Sequence, residues 1–322
     1  MSFYFEGDRT VFSRLQAKAC GRSGLESTSI AVVVLHGVLQ GVFGVGFLRA
    51  LGAQGLLAAC DYFVGISAGA PAIAYELAGM PEVAEDVYCH WCPTKEFLLF
   101  RDPRNLFSFS FWSGVCAGSQ SLVQIEGLHE IFRGSNQWPM LDVEQVARHR
   151  SRFVVAVTDF ESGQGGLIDA KGAQPDMIQA IAASIAMIGA NPVCVNDGLY
   201  ADGSFTDPLP LDKIIAMHPS DILIVANGPE SYYTDRDFQE CVVAPLVYHA
   251  RRLPAPLRRA AYTRYERMKE GLQKLRDLRH IRWGILWGDN SIGPFTANPL
   301  KLRAALHRFQ QWTQQLLIEN AS

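Results

Sequence analysis

Charge is scarce in this chain. Asp, Glu, Lys and Arg make up 19% of its 322 residues, and 29 basic against 32 acidic side chains leave a formal net charge of -3. That balance excludes a polycation built to neutralise phosphates along its length, so a nucleic-acid binder is not expected. With 48% of residues in the hydrophobic set, general disorder is excluded too. Cysteine is sparse, odd in number at seven, and widely spaced, which fits thiols in a reducing compartment better than a disulfide framework. The opening stretch to Gln16 carries Glu6 and Asp8 and has no apolar run before a small-residue cleavage site. A secretory signal is therefore not expected. Internal repeats and low-complexity tracts are missing as well. The expectation is a large reduced globule, cytoplasmic, with peripheral membrane attachment left open.

One run, Ser27 to Leu48, contains no Asp, Glu, Lys or Arg and is long enough to raise a transmembrane helix. Its first part, Ile30 to Leu35, is β-branched, and His36, Gly37, Gln40, Gly41, Gly44 and Gly46 interrupt the rest. Strand, tight turn and then helix explains it better. The helix is read from Gly41 to about Gly52, with Gly55 marking its end. Asp61 to Ile66 reads as a second buried strand, after which Ser67, Ala68 and Gly69 open another helix with Pro71 early in it. Two strand-turn-helix units in succession predict an α/β fold with a parallel sheet and helices on its faces.

From about Pro81 to Leu141 the chain is aromatic and irregular, a lid, a substrate wall or an ordinary packed insertion. Strands are expected again at Arg152 to Thr158, Asp221 to Ala226 and Ile281 to Trp287, with helices at Met177 to Ala186 and Pro299 to Leu317. Between Arg251 and Arg282 eleven basic residues face three acidic ones, so this segment carries +8 and the remainder -11. An amphipathic helix with a basic face is read there. A solvated surface helix is the plain explanation, and a docking face for anionic lipid head groups is the functional one.

Gly65-Ile66-Ser67-Ala68-Gly69 is a G-x-S-x-G between a predicted strand and a predicted helix. A nucleophile on so sharp a turn needs small neighbours, and the helix that follows points its N-terminal N–H groups at the site. Tight helix-strand packing is the alternative use of these glycines. A serine also needs a base. None of the eight histidines sits in a local motif, whereas Tyr200-Ala201-Asp202-Gly203-Ser204 follows a short apolar run and precedes Pro208-Leu209-Pro210. A second pair, Asp197-Gly198, is its local competitor.

These segments resemble the patatin-like phospholipase family, over about Ile30 to Lys213. The resemblance implies a three-layer α/β/α sandwich around a mainly parallel sheet, here with a C-terminal helical extension. The expected division is an N-terminal segment 1–29, a catalytic core 30–213, and 214–322 supplying remaining strands and helices. It further implies a Ser-Asp dyad without histidine, metal or cofactor: Ser67 falls on the nucleophile, Asp202 on the base with Gly203 beside it, and Tyr200 on the tyrosine two residues before that aspartate. Backbone N–H groups at Gly37 and Val38, with Ala68, fall on the oxyanion hole; Gly41, Gly65 and Gly69 complete the matched motifs. His36-Gly37-Val38-Leu39-Gln40-Gly41 departs from the family's glycine-rich loop, with His36 and Val38 in place of glycines and Gln40 in place of a basic residue.

The expected activity is a lipid acyl hydrolase of the phospholipase A or esterase type, acting on lipid or phospholipid through an acyl-enzyme. Two alternatives stand beside it. One is a patatin-fold protein that binds lipid or a protein partner without turnover. The other is a histidine-dependent α/β-hydrolase using His218 or His249. The CxxC at Cys89 and Cys92 lacks the second pair that a structural zinc site needs.

Overall fold

The computed structural model describes residues 2–22, 28–134, 138–172, 176–187, 191–236, 241 and 244–321. Within them, nine strands form one sheet: β1 (Tyr4–Gly7), β2 (Ile30–Val34), β3 (Tyr62–Ile66), β4 (Arg152–Asp159), β5 (Gly165–Asp169), β6 (Val193–Val195), β7 (Gly198–Asp202), β8 (Asp221–Ala226) and β9 (Arg282–Trp287). The order across the sheet is β1-β9-β8-β2-β3-β4-β7-β6, with β5 also on β4. The five strands β9-β8-β2-β3-β4 are parallel, and β1, β5, β6 and β7 are attached antiparallel.

Burial explains why these five strands read as continuous apolar runs. Every residue of β2 and of β8 is buried, because helices cover both faces. Alternate residues divide between two cores. Val32, Val34, Phe63, Val155 and Val225 face α1 (Thr10–Ala19), α2 (Val42–Ala53), α3 (Gly69–Leu77), the helix Met177–Ser184 and the last helix, Pro299–Glu319. Ala31, Val33, Val64, Ala156 and Ile224 face Leu211–Ile215 and the long helix Ala255–Asp277. The result is the three-layer α/β/α arrangement with helices added at the C-terminal end of the chain. The last helix crosses α2 at Gly46, where a Cβ would lie 2.6 Å from the Leu306 carbonyl oxygen.

From Thr28 onward, where the described residues resume, the uncharged run to Leu48 resolves into β2 and α2, buried inside the sandwich. Among the described residues no helix is long and apolar enough to cross a membrane. The aromatic stretch after Pro81 is more regular than its sequence suggests. It is a chain of short helices, including Pro81–Asp86, a wide π-type turn at Val87–Trp91, Phe109–Ala117 and Ile125–Arg133. Pro93, Pro103 and a left-handed Gly118 interrupt it too often for a periodic apolar face to develop.

Strand order reverses at β2. The chain passes from β2 to β3 and β4 on one side, then returns to β8 and β9 on the other. A crevice opens beyond the carboxyl ends of such strands, where the flanking loops diverge. The loops after β2, β3, β8 and β9 all line it.

Candidate active site

Ser67 is the first residue after β3 and has φ of +52°, the left-handed region that a side chain normally avoids. Its neighbours are held accordingly. A Cβ on Gly69 would stand 2.1 Å from the Val34 carbonyl oxygen, and one on Gly65 would stand 2.5 Å from Ala70 Cα. Glycine at both positions lets α3 press against β2 and β3, so the packing use of these glycines and the sharp turn at Ser67 are one feature. The Ser67 amide donates to Ser184 Oγ at 3.1 Å, and its carbonyl accepts from the Ala70 amide at 2.9 Å. The Tyr88 hydroxyl donates to the Ala68 carbonyl oxygen on the next residue.

Register along β4 brings the aspartate to this turn. Val157 and Thr158 pair with Gly166 and Gly165 of β5 and also with Asp202 and Ala201 of β7, so β5 and β7 must use opposite edges of β4. The edge left to β7 is the one on which β3 runs, with Ile66 opposite Ala156. Thus β3 and β7 lie end to end: one stops opposite Ala156, and the other stops opposite Val157, the next rung. Ser67 and Asp202 meet across that junction. Asp202 is fixed by three hydrogen bonds: its amide donates to Ala186 O at 3.0 Å, its carbonyl accepts from Thr158 Oγ1 at 2.8 Å, and Oδ1 accepts from the Ser204 amide at 2.8 Å. Gly203 is required beside it, since a Cβ there would lie 2.5 Å from the Ala156 carbonyl.

Burial pushes the Asp202 carboxyl above its ordinary pKa. Hydrogen bonds from the Ser67 hydroxyl and from Ser204, together with the charge of Arg264, pull back against that shift. A carboxylate in this setting is more basic than a solvated one. Asp197 sits in the exposed turn that joins β6 to β7, at the far end of β7 from Asp202.

The loop after β2 forms the opposite wall. Val38 has φ of +51°, so a β-branched residue occupies a conformation that favours glycine. Gly37 packs so closely on Asn227 that a Cβ would lie 2.7 Å from the Asn227 Cβ, and Gly41 packs on the Tyr88 ring at 2.6 Å by the same measure. The fully buried Asn227 braces the loop at both ends: its amide group donates to the Leu35 carbonyl oxygen, and its Oδ1 accepts from the Gly44 amide at 2.8 Å. Tyr233 completes the brace, its hydroxyl accepting from the Asn227 amide at 2.7 Å and donating to His36 O at 2.8 Å. The Leu39 and Gln40 amides are taken by Pro294 O and Gly37 O. Among the described residues, no acceptor takes the amides of Gly37, Val38 and Ala68. Neither Asn227 nor Tyr233 carries a mark of this role in the sequence, because Asn227-Gly228 after a buried strand has the pattern of an ordinary turn.

Ser67, Val38 and Met187 are common to two cavities. One is a narrow apolar slot of about 50 Å³, walled by Leu39, Ala68, Pro71, Tyr88, Phe97 and Leu128 among others. The other is a cleft of about 830 Å³ that takes in His36, Gly37, Asp202, Ser204 and Arg264, with Phe100, Trp112 and Leu122 from the aromatic segment. Cys92 lines the slot, and burial pushes its thiol well above the ordinary range, as it pushes Cys89 up to about 12.

His36 shares the cleft, but burial, aided by the charge of Arg264, lowers its pKa to about 3, leaving a neutral imidazole that is a weak base. His218 is exposed just before β8, whereas Ser67 follows β3; since the core strands are parallel, the two lie at opposite ends of the sheet. His249 is exposed, with its Nδ1 3.3 Å from Arg258 Nη1.

The basic segment is sorted by its folding. Arg267 donates to Thr206 O, Lys274 pairs with Asp212, and Arg276 pairs with Glu6 and Glu230. Arg251 donates to Gln120 O and Asn191 Oδ1. Arg252, Arg259, Lys269 and Arg279 face solvent, with Glu266, Glu270 and Asp277 exposed among them.

A sharp left-handed turn between a parallel strand and a helix, above a sheet covered on both faces, belongs to an α/β fold. The patatin-like phospholipase family model matches residues 37–215, more than half of the chain, and the chain belongs to that family. Membership places it among the lipid hydrolases of that family. No curated protein matches it. Among solved structures it is similar to the crystal structure of VipD from Legionella pneumophila, with 12% identity, a TM-score of 0.42, and coverage of 91% of this chain and 67% of that one.

The two left-handed residues predict an inverted ranking of small substitutions. Alanine normally outlasts glycine, but at Val38 and Ser67 the glycine variant is expected to be more stable than the alanine variant by about 1 kcal/mol, because only alanine keeps a Cβ at positive φ. Urea unfolding of the four variants checks this, and alanine ahead of glycine at both sites contradicts it.

Proposed function

We propose that the chain is a serine acyl hydrolase of lipid esters that works through Ser67 and Asp202. The observation that carries this reading is the junction of β3 and β7 on one edge of β4, which sets the Ser67 hydroxyl against a buried, basic carboxylate. Asp202 takes the proton as Ser67 Oγ attacks the ester carbonyl carbon, forming the C–O bond of a tetrahedral intermediate. The amides of Gly37, Val38 and Ala68 are available to the oxyanion, with the N-terminal end of α3 behind them. Collapse expels the alcohol, which recovers the proton from Asp202. Water then attacks the acyl-enzyme with the same carboxylate as base and releases the fatty acid.

Because Ser67 lies where slot and cleft join, the acyl chain belongs in the apolar slot and the alcohol in the wide cleft. His36 and Val38 do not remove backbone donors, so the departures from the family loop are compatible with turnover. Its braces, Asn227 and Tyr233, supply the rigidity that glycines do not. No step requires a metal or cofactor.

Hydrolysis of a short-chain nitrophenyl ester tests the dyad. Ser67→Ala and Asp202→Asn are each expected to lower kcat/KM by about a thousandfold or more. In the wild type, kcat/KM should rise with pH through an apparent pKa above the ordinary aspartate range, since the base acts when ionised and burial raises its pKa. Stability runs the other way. A carboxyl whose folded pKa is raised stabilises the fold while protonated, and that contribution is lost as pH rises through the folded pKa. Asp202→Asn should therefore be inactive yet at least as stable as the wild type at pH 8. Two variants with full activity would end this assignment.

The exposed cations Arg252, Arg259, Lys269 and Arg279 are the part of the basic segment that we assign to peripheral contact with an anionic membrane. The acidic residues interspersed among them limit it to about 1 kcal/mol for each engaged cation. Co-sedimentation with anionic vesicles should fall with added salt and with Arg252→Glu/Arg259→Glu; equal binding to neutral and anionic vesicles contradicts the contact.

A further inference from the structure

Among the described residues, the two most exposed large apolar side chains stand two positions apart in the aromatic segment. Phe107 is 85% and Phe109 88% exposed. They occupy a corner between two capped helices. Pro103–Leu106 begins at Asp102, whose Oδ1 accepts from the Arg104 amide at 2.9 Å, and Phe109–Ala117 begins at Ser108, whose Oγ accepts from the Phe111 amide at 3.1 Å. Capped on both sides, the corner presents its two rings from ordered backbone rather than from a loose loop.

Charge is withheld from this corner. From Asn105 to Ile125 the chain has no Asp, Glu, Lys or Arg. Just before it, Arg104 pairs with Asp102 through a fork at 2.7 to 3.2 Å, and Arg101 donates to Pro93 O and Phe295 O. The helix Phe109–Ala117 is divided by face. Phe111 and Val115 are buried, Trp112 lines the wide cleft, and Phe109, Ser113, Cys116 and Ala117 are exposed. Phe109 precedes Trp112 by three residues, so the two are neighbours on the helix surface and the apolar corner adjoins the cleft wall. At its other end the helix meets the basic segment: Ala244–Ala250 packs on it, and Arg251 donates to Gln120 O at 3.1 Å. Arg252, one of the solvent-facing cations, comes next in the chain.

We propose that Phe107 and Phe109 insert into the border between head groups and acyl chains of a lipid bilayer, seating the protein with its cleft open to the membrane. The inference goes beyond the Ser67 and Asp202 chemistry and does not need it; it adds an apolar anchor beside the cationic contact. Exposed phenyl rings with no charge around them fit that border, and cations at the same surface meet its head groups. A second copy of this chain fits less well. Two phenyl rings bury about 150–250 Å² each, whereas a stable interface takes about 800 Å² from each partner.

Vesicle binding tests the anchor without turnover. Co-sedimentation with vesicles of ether-linked phosphatidylcholine, which has no ester to cleave and no net charge, should persist at high salt in the wild type. Phe107→Ser/Phe109→Ser is expected to lower that partitioning by about tenfold or more, and Phe107→Leu/Phe109→Leu to keep most of it. Arg252→Glu/Arg259→Glu should leave binding to these neutral vesicles unchanged, which separates the anchor from the cationic contact. Hydrolysis of a soluble nitrophenyl ester should stay within about twofold in the serine double variant, showing that the fold and cleft are intact. Undiminished neutral-vesicle binding in that variant, or none in the wild type, overturns the anchor. So does a wild-type dimer that the serine variant dissolves, which would give the corner to a second copy. A wild type that hydrolyses no ester would contradict the acyl-hydrolase reading alone, because the vesicle measurement still decides whether the two rings insert.

Discussion

Two strands share one edge of β4, and the candidate site depends on that arrangement. β3 occupies the edge as far as Ala156, and β7 takes it from Val157 onward in the opposite direction. A residue just beyond β3 and the last residue of β7 must therefore meet, although a long stretch of chain separates them. Antiparallel β5 on the far edge of β4 forces the outcome by denying β7 any other position. The proton transfer proposed between Ser67 and Asp202 is thus a product of hydrogen-bond register, made before any side chain is placed.

Holding that meeting point is costly, and the surrounding structure shows where compensation comes from. Ser67 and Val38 are in left-handed conformations, each unfavourable by roughly 1–2 kcal/mol for an L-residue. Asp202 is buried against its preference for water. Against these stand two apolar cores, one on each face of the sheet, and a set of buried polar braces. Ser184 holds the Ser67 amide, Thr158 and Ser204 hold Asp202, and Asn227 with Tyr233 holds the loop around Val38. The family's glycines would give that loop its shape through backbone freedom. Here a strained valine keeps the shape because Asn227 and Tyr233 leave it no other.

The parts of the fold that were legible in sequence are those buried on both sides. β2, β3, β4, β8 and β9 appear as apolar runs within a residue or so of their ends, since each is covered by helices. β5, β6 and β7 gave no such signal. They are short and half-exposed, with Gly165, Gly166 and Gly198 among them, and they form through pairing to β4 rather than through their own pattern. Ser67 and Asp202 are candidates on motif and family resemblance alone, and the register of β7 on β4 leaves the upstream competitor Asp197 at the other end of β7, away from the serine. Asn227 and Arg264 stayed hidden for a different reason. An Asn-Gly pair usually marks a surface turn, and one arginine among the eleven cations of a basic segment carries no local mark of facing inward. Folding pairs some of those cations with acidic partners, leaves others facing solvent and puts Arg264 on the cleft wall, a division no sum of charges reveals.

The central claim, that Ser67 is a nucleophile activated by Asp202, is tested most directly by covalent capture. The protein would be treated with a fluorophosphonate and the adduct mapped by peptide mass spectrometry, alongside Asp202→Asn. The account predicts a single adduct on Ser67 in the wild type, forming faster as pH rises, and strongly suppressed labelling in Asp202→Asn. An unlabelled wild type, an adduct on another residue, or labelling of Ser67 at an undiminished rate without Asp202 would contradict it.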